Sequence, residues 1–364
     1  MTKMSRVKMF LLLMVVLCGG LCVVAGGAEQ WLVSRQLAEK NRLKILWQYN
    51  LPIKNNEKLD RLVTLGDRLY ALSSRNFLAS LNRDTGAVQF STFLASSGIP
   101  IGEIQLYGDQ LTCIIGNELV QINPEFGTKQ SGYRFGYEMV SPVARNRSNL
   151  YIAGADRRVH ALRANDRVQV FEAAAENGSA ITAVIADDNS VVFATVDANV
   201  VCITAAGPRK LWQFNAAAPI AAGLVTDGQS LFLASKDTNI YRINAASGDL
   251  LWKYQTEAIL EESPQAGKTA VYQHIPNTGL TAVDKETGKF LWQVKGGLGL
   301  LAESGDKAYV LTGTGVLVVM DNNKAKQVTT VDFGGTLKYA ANPADSKLYI
   351  ADQSGRLACL QPID

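Results

Sequence analysis

Histidine is nearly missing from the sequence, with two in 364 residues, His160 and His274. Two imidazoles so far apart, without cysteines at zinc-like spacing, exclude a zinc cluster, so each is read as structural. Cysteine is scarce as well. Of the five, Cys18 and Cys22 fall in an apolar N-terminal run, leaving Cys113, Cys202 and Cys359. No two are adjacent, and an odd, widely spaced set excludes a disulfide framework. No acidic cluster recurs along the chain either, and without one a calcium ion lacks its roughly six to eight oxygen ligands. An excess of charge of one sign is also absent. The net charge is +3, the first 28 residues hold Lys3, Arg6 and Lys8 but no acid, and the remainder balances 33 bases against 33 acids. A neutral body leaves no electrostatic footprint for nucleic acid.

What is present begins with those first residues. A basic start, an apolar run from Met9 to about Val24 and the small residues Ala25-Gly26-Gly27-Ala28 describe a secretory signal peptide over 1–28. Left uncleaved, the 20 residues from Met9 to Ala28 are long enough for a membrane anchor. Leu17 and Leu21 stand where a lipoprotein signal needs small residues, which disfavours lipidation at Cys18 or Cys22. Either way the body is expected outside the cytoplasm, in the periplasm or cell envelope. Residues 29–43 mix charges with Trp31, Leu32, Val33 and Leu37 and read as a short amphipathic helix or linker. A partner-binding helix is the sharper alternative.

From residue 44 to the end the chain repeats itself. Trp212, Trp252 and Trp292 stand 40 residues apart. Ahead of each come two short apolar runs separated by Gly, Asn, Asp or Ser turns, the pattern of β-hairpins. Paired runs start at Leu69, Leu111, Leu150, Val191, Leu231, Ala270, Ala308 and Leu348. A period near 40 with four strands per unit is one blade of a β-propeller, so the expected fold is all-β with eight four-stranded antiparallel blades. The last copy stops without an outer strand, whereas Ile45-Leu46-Trp47-Gln48-Tyr49 resembles an outer strand alone. The N-terminal strand is therefore expected to complete the last blade and close the ring, removing an exposed edge.

The segment Ala282-Val283-Asp284-Lys285-Glu286-Thr287-Gly288-Lys289-Phe290-Leu291-Trp292 resembles the tryptophan-docking repeat of the quinoprotein (PQQ-type) propellers. Partial copies lie at Asn244–Trp252, Arg83–Phe90 and Ala206–Trp212, and degraded ones at Asn123–Lys129, Ala164–Phe171 and Asp321–Val331. Within these propellers the chain is most similar to the BamB family of outer-membrane β-barrel assembly. The resemblance implies a non-catalytic, monomeric scaffold that binds a β-barrel assembly protein, with the membrane reached only through the N-terminal segment. It assigns structural docking to Trp47, Trp212, Trp252, Trp292, Gly248 and Gly288. The stretches Glu172–Gly178 and Asn215–Ile220 carry no arginine or matching aspartate, so no contact residue is transferred from that family.

Enzymatic relatives hold PQQ over calcium, often against adjacent cysteines, and this chain has none; no cofactor or metal is expected, with a PQQ-dependent dehydrogenase-like or small-ligand-binding quinoprotein as the alternative. A membrane-tethered sensing ectodomain is a second alternative. Cys202 and Cys359 occupy the third-strand position that Ala282 holds in the fullest repeat and are read as core substitutes for alanine. Loops joining one blade to the next collect on one face. There Tyr133, Arg134, Phe135, Tyr137, Glu138, Ile259 and Leu260 are the candidate partner-binding residues.

Overall fold

The computed structural model describes residues 31–54, 56–220 and 222–363; the expected leader over 1–28 and its two cysteines lie outside the described residues. Among the described residues no helix is long and apolar enough to cross a membrane. The strands form eight four-stranded antiparallel sheets. Blades 1 to 7 follow in chain order over 59–93, 101–134, 144–173, 181–215, 225–255, 265–295 and 297–332. First strands of neighbouring blades touch one another, so they are innermost. Blade 8 combines Leu337–Ala340, Leu348–Asp352 and Arg356–Pro362 with an outer strand from the other end of the chain, Leu43–Asn50. Its register sets Ile45 against Leu360, Trp47 against Cys359 and Tyr49 against Leu357. The ring closes as the orphan strand implied.

Alternation within each strand sends one face of every blade toward its neighbour, and the core divides accordingly into eight apolar clusters, one per junction. The junction of blades 7 and 8 also takes in the N-terminal residues. Val33 and Ala38 are buried there with Leu301, Leu317 and Leu348. Ser34 caps the single-turn helix Arg35–Lys40 by accepting from the Leu37 amide, and Gln48 bonds both the Val33 amide and the Val33 carbonyl at 2.9 Å. Val33 and Ala38 are therefore packed within the chain, whereas Trp31 stays 44% exposed.

The tryptophans lock neighbouring blades. Trp47, Trp212 and Trp252 lie over the third-to-outer turn of the next blade, and each indole donates to a backbone carbonyl there: Arg83 at 3.0 Å, Ala245 at 3.1 Å and Lys285 at 2.9 Å. The turn is shaped for this by a side-chain oxygen of Asn82, Asn244 or Asp284, which accepts from the amides two or three residues on. Four residues after that cap comes the glycine facing the ring. A Cβ on Gly288, at φ +69°, would stand 2.7 Å from the Trp252 indole, and one on Gly248 equally close to Trp212. Gly86 under Trp47 and Gly127 under Phe90 repeat the arrangement, so Phe90 is a docking ring that the tryptophan spacing alone misses. Trp292 differs, donating to the side chain of buried Asn322 at 2.8 Å.

Across from these rings sit the small third-strand residues. Cys202 pairs with Trp212 and Cys359 with Trp47, as Ala282 pairs with Trp292. Burial pushes the Cys202 thiol up to about 11 and the Cys113 and Cys359 thiols up to about 12. All three cysteines are free, and thiols so raised stay protonated and inert at neutral pH.

Candidate functional site

Antiparallel order fixes which loops share a side. Connections from each outer strand to the next blade, together with the second-to-third turns, emerge on one face; the other two kinds of turn emerge on the opposite face. The residues nominated for partner binding lie on the former. Tyr133 and Arg134 end the outer strand of blade 2, and a file of rings follows: Tyr133 to Phe135 at 5.2 Å, Phe135 to Tyr137 at 5.8 Å, Tyr137 stacked on His160 at 3.9 Å. His160 is held on both sides, by Asp156 at 2.9 Å and Glu172 at 3.4 Å. Burial, then Tyr133, Asp156 and Glu172, hold the Tyr137 phenol far above its ordinary value.

Two nominees are corrected. Phe135 is 4% exposed within the apolar junction of blades 2 and 3, and Leu260 is 0% exposed between blades 5 and 6. Both anchor the loops and are closed to a partner. Arg134, Glu138 and Ile259 remain exposed, and Tyr133 and Tyr137 partly so. The same face carries apolar side chains that the repeat did not flag: Phe93 (61% exposed), Ile99, Val140 and Val196. Their signal is an apolar residue in an interblade loop or turn, which strand periodicity does not weigh.

A cavity of about 790 Å³ opens among the first strands of blades 2 to 5 and reaches outward into the junction of blades 2 and 3. Its charged lining is Arg145, Arg167 and Glu103. One carboxylate facing two guanidiniums does not fit a calcium-bound quinone, since the cation needs roughly six oxygens or more. Among the described residues no group of three or more His, Cys, Asp or Glu is placed to hold a metal ion.

Residues 196–334 and 276–364 match the sequence profile of a PQQ-type propeller family described as outer membrane protein assembly factor BamB. No curated protein matches the chain by sequence. Among solved structures, BamB from Moraxella catarrhalis superposes with a TM-score of 0.66 at 14% identity, over 88% of this chain and 97% of that one. The computationally designed Ika8 protein gives 0.67 at 13%, over 85% and 98%. At such identities the structural likeness is one of fold. The eight sheets and this likeness make the chain an eight-bladed β-propeller, and its residues 196–364 are similar in sequence to the PQQ-type family described as BamB.

Proposed function

We propose that the chain is a non-catalytic scaffold of the cell envelope, exported to the periplasm, which binds a protein of outer-membrane β-barrel assembly. The observation that carries this is the set of exposed apolar side chains Phe93, Ile99, Val140, Val196 and Ile259 on one face of the ring. Apolar groups gathered on one side of a soluble surface mark a protein-binding area. The similarity to BamB supplies the class of partner.

A Phe93→Asp/Ile259→Asp double variant tests it, because both side chains are more than half exposed and the fold does not depend on them. Affinity capture from solubilised envelope, read by mass spectrometry, is expected to recover a β-barrel assembly protein with the parent chain and lose it with the variant. Equal recovery, or none with the parent, overturns the reading. A scaffold without quinone chemistry is also expected to ignore PQQ with Ca²⁺. At a hundredfold excess over Kd a bound ligand adds about 2.7 kcal/mol. A clear rise in melting temperature, or glucose- or alcohol-dependent dye reduction, would reverse this second expectation.

A further inference from the structure

Register aligns the blades position by position. One row crosses each blade from inner to outer strand, and its second and fourth members form the ring pairs Tyr70–Phe90, Tyr151–Phe171, Phe232–Trp252, Tyr272–Trp292 and Tyr349–Trp47. Blade 4 keeps one ring, Trp212 beside Val192, and blade 7 keeps Tyr309 beside Thr329. Blade 2 alone has neither. Its row reads Gln105, Thr112, Gln121, Ser131, polar from end to end.

The turn that would receive a ring from blade 2 is altered to match. Arg167 occupies the position of Gly86, Gly127, Gly248 and Gly288, with the same amide bond back four residues, to Arg163 at 2.9 Å. It holds φ +64°, where a side chain is disfavoured. Such an outlier points toward a job for the side chain. The apolar core of this junction is accordingly thin, six buried residues against eight to fifteen elsewhere among the described residues.

Arg167 lines the cavity together with Arg145, Gln105, Thr112, Gln121 and Thr182. The Arg145 guanidinium lies 4.4 Å from the centre of the Tyr107 ring and donates to Gln110 at 2.6 Å. Three buried polar atoms around this space have no hydrogen-bond partner: Arg145 Nε, Arg167 Nη1 and Thr182 Oγ1. Burial, and to a lesser degree the charge of Arg167, makes Arg145 easier to deprotonate than an ordinary arginine. Burial raises the pKa of Glu103, the one acid in the lining.

We infer that this cavity, where the blade 2–3 junction meets the first strand of blade 4, binds an organic carboxylate, with Arg145, Arg167 and Thr182 on the carboxylate and Leu119, Val143 and Leu150 against its apolar body. Guanidinium forks match the two oxygens of a carboxylate, and donors left unpaired in a low-dielectric site gain most from an anion. Two cations and one acid favour a single negative charge over a dianion. The buried apolar side chains on the same wall favour an organic body over a bare ion.

Titration calorimetry of the full chain with N-acetyl-leucyl-leucine, its C-terminal amide and inorganic phosphate tests this. The free acid is expected to bind, and the amide and phosphate to bind at least about tenfold more weakly. Arg167→Gly restores the glycine of the other turns, so its melting temperature should be no lower than the parent's while acid binding falls by about tenfold or more. Arg145→Gln should weaken binding alike. Equal binding of acid and amide, tighter binding of phosphate, no heat from the acid at about 1 mM, or unaltered affinity in both variants would each overturn the site.

Discussion

Trp292→Ala is expected to destabilise the propeller more than removal of any other docking ring. The side chain is 3% exposed, and emptying a large buried aromatic site costs about 3–5 kcal/mol. A second loss is added here. The indole donates to Asn322 Oδ1, Asn322 donates to the Tyr272 hydroxyl at 2.7 Å, and that hydroxyl donates to buried Glu303, which also accepts from the Lys268 amide at 2.7 Å. Removing the indole orphans a buried acceptor at the end of this chain, worth a further ~1–3 kcal/mol. Trp252→Ala forfeits its ring, but the Lys285 carbonyl it leaves still accepts from Arg242 at 2.9 Å, so it should cost less. Leu251→Ala, beside it on the outer strand and 48% exposed, should stay within about 0.5 kcal/mol of the parent. Denaturant unfolding curves of the three variants rank them. The order Trp292, Trp252, Leu251 is expected; a Trp292 variant as stable as the Leu251 variant would remove the docking role. Capture of the envelope partner by the still-folded Trp252 variant should be unchanged, because a ring that recurs with the repeat serves the blades and not a ligand.

The sequence made the blades legible because turn chemistry and strand alternation recur with the period. The eight paired runs it marks, from Leu69 to Leu348, are the second and third strands of eight sheets. The orphan strand around Trp47 was legible for the complementary reason, a missing partner at the other terminus. Burial within the loops was not legible. Phe135 and Arg134 are neighbours in sequence, yet one fills the blade 2–3 junction and the other faces solvent, and only the path of the loop separates them. The cleft escaped for a different reason. Searching for what repeats directs attention to tryptophan and glycine, whereas the cleft includes positions where the repeat fails: Thr112, Gln121 and Arg167. Two of the degraded motifs, Asn123–Lys129 and Ala164–Phe171, flank it. A lapse in a structural repeat at adjoining blades is thus a sequence signal in its own right, once the register says which positions face each other.

Ring closure carries the other large effect. Deleting residues 44–50 removes the outer strand of blade 8 and bares the edge of Arg356–Pro362 along its length. The deletion also strips Trp47 from the blade 8–1 junction, where its ring pairs with Tyr349 at 6.2 Å and its indole holds the Arg83 carbonyl. Tyr349 donates to that same carbonyl at 3.1 Å and the Arg83 guanidinium donates to Asn342 at 2.7 Å, so these two bonds between the first and last blades survive the deletion while the ring packed over them is lost. An unpaired strand edge along Leu357–Leu360, residues buried in the intact ring, is a template for pairing with another chain. The shortened protein is therefore expected to form larger species than the parent in size-exclusion light scattering and to melt well below it. Adding a synthetic peptide of residues 43–50 in excess should restore part of both, since the peptide can supply the missing strand from outside. A deletion variant that keeps the parent's size and melting temperature would show that the ring does not depend on this strand. Recovery with a scrambled peptide of the same composition would show that masking of apolar surface, and not strand pairing in register, is what the N-terminal segment contributes.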